Sequence, residues 1–189
     1  MSNFSLLFFV LILLMMRKGL LLFLALLLPV IIFLFLHSFG KNEFEVPILF
    51  QTAEELPANC GLEASLPYQV QSDKVDVTEG AIVLFSSGLS NAMFDDALFQ
   101  LRRVKDEFDV DAPEIIVVKK SNDQSPKVEN EMVMNAAEYE QEQQCVFLAG
   151  TNQIVLIDAE GHIRGLYPNA SLKEIDRLIL ELKIILNKY

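Results

Sequence analysis

The chain has 189 residues, 52% of them apolar, and a formal net charge of −11. Such an acidic surface disfavours nucleic acid and anionic lipid headgroups, and no phosphate-binding loop, dinucleotide fingerprint or zinc-ligand spacing is present. The acid is unevenly placed: all 26 acidic residues and all but two of the 15 basic ones follow residue 36, leaving a formal charge of −13 on residues 37–189. That stretch is long enough for one domain with a sizeable core.

Phe4 to Leu36 is apolar apart from Arg17, Lys18 and a few small polar residues. A helix through all of it would bury both cations in the bilayer, at roughly 2.5–3.5 kcal/mol each. Gly19 to Leu36 alone makes about 27 Å of helix, close to the roughly 30 Å hydrocarbon core. Residues 1–18 are therefore read as a cytoplasmic segment and 19–36 as one transmembrane helix. Arg17 and Lys18 before the span put the N-terminus in the cytoplasm and the remainder outside. Met15 or Met16 is a natural start for a shorter product. A cleaved signal peptide is the alternative, weakened because Leu36-His37-Ser38-Phe39 lacks an A-x-A pattern.

Residues 37–79 read as an extended linker and N-terminal extension, and 80–189 as the folded domain. Phe44 to Phe50 is expected as a short edge segment around Pro47, Thr52 to Leu66 as an irregular loop around Cys60, and Leu66 to Val77 as one or two brief strands. Ala81 to Phe85, AIVLF, has the continuous apolarity of a strand buried on both faces. Ser90 is a candidate N-cap for a helix carrying Phe94, Ala97, Leu98, Leu101, Val104 and Phe108 on one face.

Asp111 and Pro113 precede a second core strand, Glu114 to Val118. Ser121 to Asn130 is a loop or lid, and Glu131 to Gln144, rich in Glu, Gln, Ala and Met, is predicted helical. Gln153 to Asp158 and His162 to Tyr167 flank Ala159-Glu160-Gly161, a hairpin signal with glycine in the left-handed position. The final helix has Ser171 and Glu174 at capping-box spacing and a stripe from Leu172 to Leu186.

This order of strand, helix, strand, helix, hairpin and helix gives an α/β class: a mixed sheet with helices on both faces. It is the thioredoxin arrangement, preceded here by the transmembrane helix. In such folds a thiol at the junction of first core strand and helix is ionised by the helix dipole. Here that junction, Ser86 to Ala92, holds no cysteine.

IVLIDAEGHIRGLY followed by ASLKEIDRLILELKIILNKY is similar to the end of the SCO/SenC family, membrane-anchored thioredoxin-fold proteins that handle copper for cytochrome c oxidase assembly. FEVPILF and LPYQV resemble its bacterial members. The resemblance implies a domain on the periplasmic face of the inner membrane, anchored by a single span. It also implies a CxxxC pair after AIVLF, where this chain has Gly88 and Ala92, and a copper-binding histidine before the hairpin, where it has Gly150-Thr151-Asn152. A cuprous ion needs thiolate, thioether or imidazole donors, so Ser86, Ser87, Gly88, Ala92 and Thr151 read as a vestigial site. No metal or cofactor is assigned.

Cys60 and Cys145 are the only cysteines. In an oxidising compartment a structural disulfide is the first reading, beside two unrelated buried thiols or a relocated redox pair. His162 reads as an exposed strand histidine, unconnected to His37 at the membrane edge. Met132 and Met134, in a predicted helix, do not share a face, and Asp95 and Asp96 complement the dipole of the first helix. The expected function is a non-catalytic binding or assembly module with an oxidase or assembly-factor partner. The alternative is a copper chaperone or thiol oxidoreductase using Cys60 and Cys145.

Overall fold

The structure is a computed structural model that describes residues 23, 25–35, 45–62 and 65–186. The chain divides into two compact units, Met1–Phe44 and Glu45–Tyr189. In the first, residues 23 and 25–35 are helical and most of their apolar side chains are exposed. Among the described residues no helix is long and apolar enough to cross a membrane. The predicted span, 19–36, extends past the described residues at both ends, and residues 1–18 lie outside them.

The second unit is built on β1 (Ala81–Phe85), β2 (Glu114–Lys120), β3 (Glu131–Met134), β4 (Ile154–Ile157) and β5 (Ile163–Tyr167). They form one sheet in the order β3-β2-β1-β4-β5. β1, β2 and β3 are parallel, with Val83 opposite Ile116 and Val118 opposite Met132. β4 runs antiparallel to β1 and to β5. All five β1 residues are buried, as a central strand covered on both faces requires.

Alternation along β1 divides the core in two. Ile82 and Leu84 face α1 (Asn91–Phe108) and α3 (Leu172–Ile185), packing with Phe94, Leu101, Ile175 and Leu178. Val83 and Phe85 face the other layer, made by α2 (Ala136–Gln141), the wider π-type turn Glu142–Val146 and the segment ahead of the sheet. That segment has no strand of its own, yet it buries Tyr68, Val70, Val75 and Val77 in this core. Helices thus cover both faces of a mixed sheet, as the order of elements predicted.

Several local expectations are corrected. Glu131 to Gln144 is not one helix: it opens with β3, turns at Asn135, and only then becomes α2 and the π turn. Pairing with β2 supplies Glu131–Met134 with a ladder that helix propensity cannot match. Residues 45–50 form no strand but donate one backbone bond, Leu49 N–H to Ile163 O at 2.9 Å. The brief strands expected in 66–77 reduce to a single bridge, Gln69 to His162. Ser90 caps α1 as predicted, accepting from Met93 N–H at 3.3 Å. Ser171 makes no side-chain cap bond; Asn169 Oδ1 instead accepts its N–H, and Glu174 faces Arg177 at 3.0 Å. The unpredicted capping box belongs to α2, where Asn135 and Glu138 exchange bonds of 2.9 and 3.0 Å.

Candidate functional site

Parallel strands aim their carboxyl ends at one edge of the sheet, and clefts form there between the loops that follow. β1 ends in Phe85 and β2 in Lys120. Beyond them lies an open depression of about 420 Å3, lined by Ser87, Gly88, Lys120, Asn122, Asp123, Gln124, Tyr139 and Gln143. Two of the predicted vestigial residues, Ser87 and Gly88, are in this lining. Ser86 is buried just behind it, and Ala92 and Thr151 are solvent-exposed residues outside it.

The two serine hydroxyls are engaged. Ser86 Oγ donates to Val118 O at 3.3 Å, and Ser87 Oγ accepts the Lys120 N–H at 2.9 Å. Ser87 N–H in turn donates to the Tyr139 hydroxyl at 3.3 Å. Burial raises the Tyr139 phenol above its ordinary value, so it remains protonated at neutral pH. Its ring meets Phe85 edge-on at 5.5 Å between centroids, and Lys120 Nζ stands 5.1 Å over the ring while pairing with Glu140 at 3.1 Å. These groups offer hydrogen-bond donors and acceptors around one cation. No thiol or imidazole lines the depression.

Backbone geometry sharpens the point. Gly88 has φ +93, a conformation that side chains rarely adopt, although a Cβ would meet nothing within 4 Å. The backbone at this position thus suits glycine. The loop Gly150-Thr151-Asn152 is closed by its own bonds: Asn152 N–H and Nδ2 both donate to Ala149 O at 2.9 Å. The π turn grips that loop, with Gln143 Nε2 donating to Asn152 O at 3.4 Å and Gln144 Nε2 to Gly150 O at 3.0 Å.

Cys60 and Cys145 form a disulfide with Cα atoms 5.3 Å apart. Cys60 closes the 3-10 turn Ala58–Cys60, and Cys145 lies in the π turn. Met132 and Met134, placed by β3 on alternate positions, do share a face: Met134 is in the core and Met132 packs against it. Asp95 and Asp96 fall beyond the first turn of α1 and are exposed, so the dipole does not account for them.

His162 is not an exposed strand residue. Its Nδ1 lies 3.5 Å from Asp158 Oδ1, and its side chain is 12% exposed. With Glu160 these residues bring ligand atoms within 4.8 Å of one another. The hairpin turn already uses the shared carboxylate: Asp158 Oδ1 accepts the N–H of Glu160 and His162, and Oδ2 pairs with Arg164 at 2.9 Å. The Arg164 guanidinium opposes a metal cation at that spot. His37 lies outside the described residues. A larger groove, about 1140 Å3, occupies the opposite end of the sheet near Gly80, Glu114 and Leu186, with charges of both signs.

Lys120, Asp123, Tyr139 and Gln143 were not singled out from sequence. Tyr139 carried a readable signal, as the one aromatic in an otherwise polar run, AAEYEQEQQ. No family model matches this chain, and no curated protein matches it.

Proposed function

We propose that this protein is a non-catalytic binding or assembly module: an SCO/SenC-like, thioredoxin-like domain held on the periplasmic side of the inner membrane by a single N-terminal span and serving respiratory oxidase biogenesis. The observation that supports the reading most directly is Gly88. Its left-handed backbone disfavours any side chain there by about 1–3 kcal/mol, so the strand-turn-helix frame is kept in a form that does not suit a thiol. The engaged hydroxyls of Ser86 and Ser87 and the protonated Tyr139 agree with recognition rather than turnover. A scaffold retains a docking face independently of chemistry.

The test is crosslinking in intact membranes from Met93, 56% exposed in the first turn of α1. Capture of an oxidase subunit or an assembly factor is expected, together with reduced assembled oxidase in a deletion strain. Normal oxidase levels with no capture overturn the reading. Tight, stoichiometric Cu(I) binding by the reduced protein, lost on replacing both cysteines, overturns it in favour of copper handling through Cys60 and Cys145. A periplasm-dependent reporter fused after Tyr189 is expected to be active; activity only from a cytoplasmic reporter reverses the topology.

A further inference from the structure

We propose that the Cys60–Cys145 disulfide is a redox clasp that fastens the segment 45–77 onto the wall of the depression, so that exchange with a dithiol loosens both while the sheet stays folded. The proposal holds whether or not the depression receives an assembly partner.

Both cysteines are half-buried and belong to neither core cluster, so the bond lies toward the surface. Its far end is in the π turn, two residues from Gln143, which lines the depression and holds Asn152. α2, just ahead, carries the Tyr139 hydroxyl that receives Ser87 N–H. A pull on Cys145 is thus a pull on the wall of the site.

Beyond the side chains it buries, the clasped segment has few anchors in the ladders. Its described residues form no strand, and its backbone N–H groups reach the sheet through Leu49 N–H to Ile163 O and the bridge at Gln69. Of its side-chain ties, three land on the same wall: Tyr68 Oη donates to Val146 O at 2.8 Å, Ser72 Oγ to Glu142 Oε2 at 2.9 Å, and Lys74 pairs with Glu138 at 2.6 Å; two others reach the hairpin, from Arg164 to Val46 O and between Gln69 and His162. A segment held outside the ladders by few backbone bonds opens locally at lower cost than the strands it covers. The five-stranded sheet, by contrast, keeps its ladders and the core under α1 and α3.

The exchange needs a two-electron donor, a protein dithiol of the same compartment or an added dithiol. One donor thiolate attacks the sulfur of Cys60 or Cys145, forming a mixed disulfide as the Cys60–Cys145 bond breaks, and the displaced thiolate takes up a proton. The donor's second thiol loses its proton and displaces the other cysteine. Two electrons and two protons pass to the pair, and the donor leaves as a disulfide.

Hydrogen–deuterium exchange on the full-length chain tests this, comparing oxidised protein, protein treated with dithiothreitol, and the Cys60→Ser, Cys145→Ser double variant. Exchange in 51–77 and 139–148 is expected to quicken at least tenfold in the last two, with β1 and β4 unchanged and the Ser87 amide resonance shifted. Unaltered rates in 51–77 overturn the proposal. Faster exchange there with 139–148 and Ser87 unmoved separates the bond from the site and also overturns it. Loss of protection in β1 and β4 makes the bond a staple for the whole fold, contrary to the clasp.

Discussion

At the scale of single residues, two buried charges behave oppositely. Lys119 and Glu131 meet at 2.6 Å with side chains 7% and 12% exposed, and Lys119 Nζ also donates to the carbonyls of Ser125 and Pro126 at 3.4 Å. The hydrogen bond from Lys119 holds the Glu131 carboxyl below its ordinary value, so its stabilisation is present above the usual carboxylate range and is lost as pH falls through the lowered value. Lys119→Met is expected to cost about 3–5 kcal/mol, because it strands a buried carboxylate. Adding Glu131→Leu should recover much of that loss in urea denaturation; strictly additive losses would show the pair uncoupled.

Glu142 is the reverse case. It is 7% exposed, and burial raises its carboxyl above the ordinary value, against smaller help from Ser72 and Lys74 and with Asp73 and Glu138 adding repulsion. A raised acid penalises the folded state when ionised, so stability grows as pH falls through the raised value toward the unfolded one. Glu142→Gln keeps an acceptor for Ser72. Its denaturation midpoint is expected to exceed the parent's at pH 7 and to converge with it at pH below the usual carboxylate range. A lower midpoint at pH 7 would show that Lys74 outweighs desolvation.

At the scale of elements, α2 is the most exposed to a single change, having only six residues. Isolated helices of that length do not hold themselves, and the capping box of Asn135 and Glu138 settles its first turn. Asn135→Ala should cost about 1 kcal/mol and speed amide exchange across 136–141 more than in α1; equal change in both helices would show the cap to be irrelevant. The same element shows what sequence reading resolves. β1 and β2 were legible as continuous apolar runs, α1 and α3 from apolar residues at helical spacing, and the hairpin from its glycine turn. Residues 131–144 were not, because Met, Glu, Gln and Ala state a helix preference while the edge of β2 decides the outcome at Val117 and Val118. Asn135 and Glu138 did mark the true helix start in the sequence, at the spacing sought at Ser171. Of the site, Ser87 and Gly88 were legible from their place after β1. Tyr139, Lys120 and Gln143 converge on them only through tertiary packing, across separations no local pattern encodes.

At the scale of the whole molecule, the order β3-β2-β1-β4-β5 decides when each strand finds its neighbours during synthesis. β4 and β5 are the one pair joined by a short turn. β1 meets β2 only after α1, and its other edge stays bare until Ile154–Ile157 has been made. Until then AIVLF is an apolar strand with an open flank, the kind of segment that recruits copies of itself. Within the second unit, nascent chains therefore carry an aggregation hazard in the interval between translation of Phe85 and translation of Ile157. Fragments of the second unit, begun at Glu45, that end before residue 154 are expected to sediment as aggregates, and the unit carried on through α3 to remain soluble to a much greater extent. Equal solubility across that boundary would mean another segment guards the strand. The same interval is when a holding chaperone has most to protect, so the central position of β1 sets the demand this protein places on its own biogenesis.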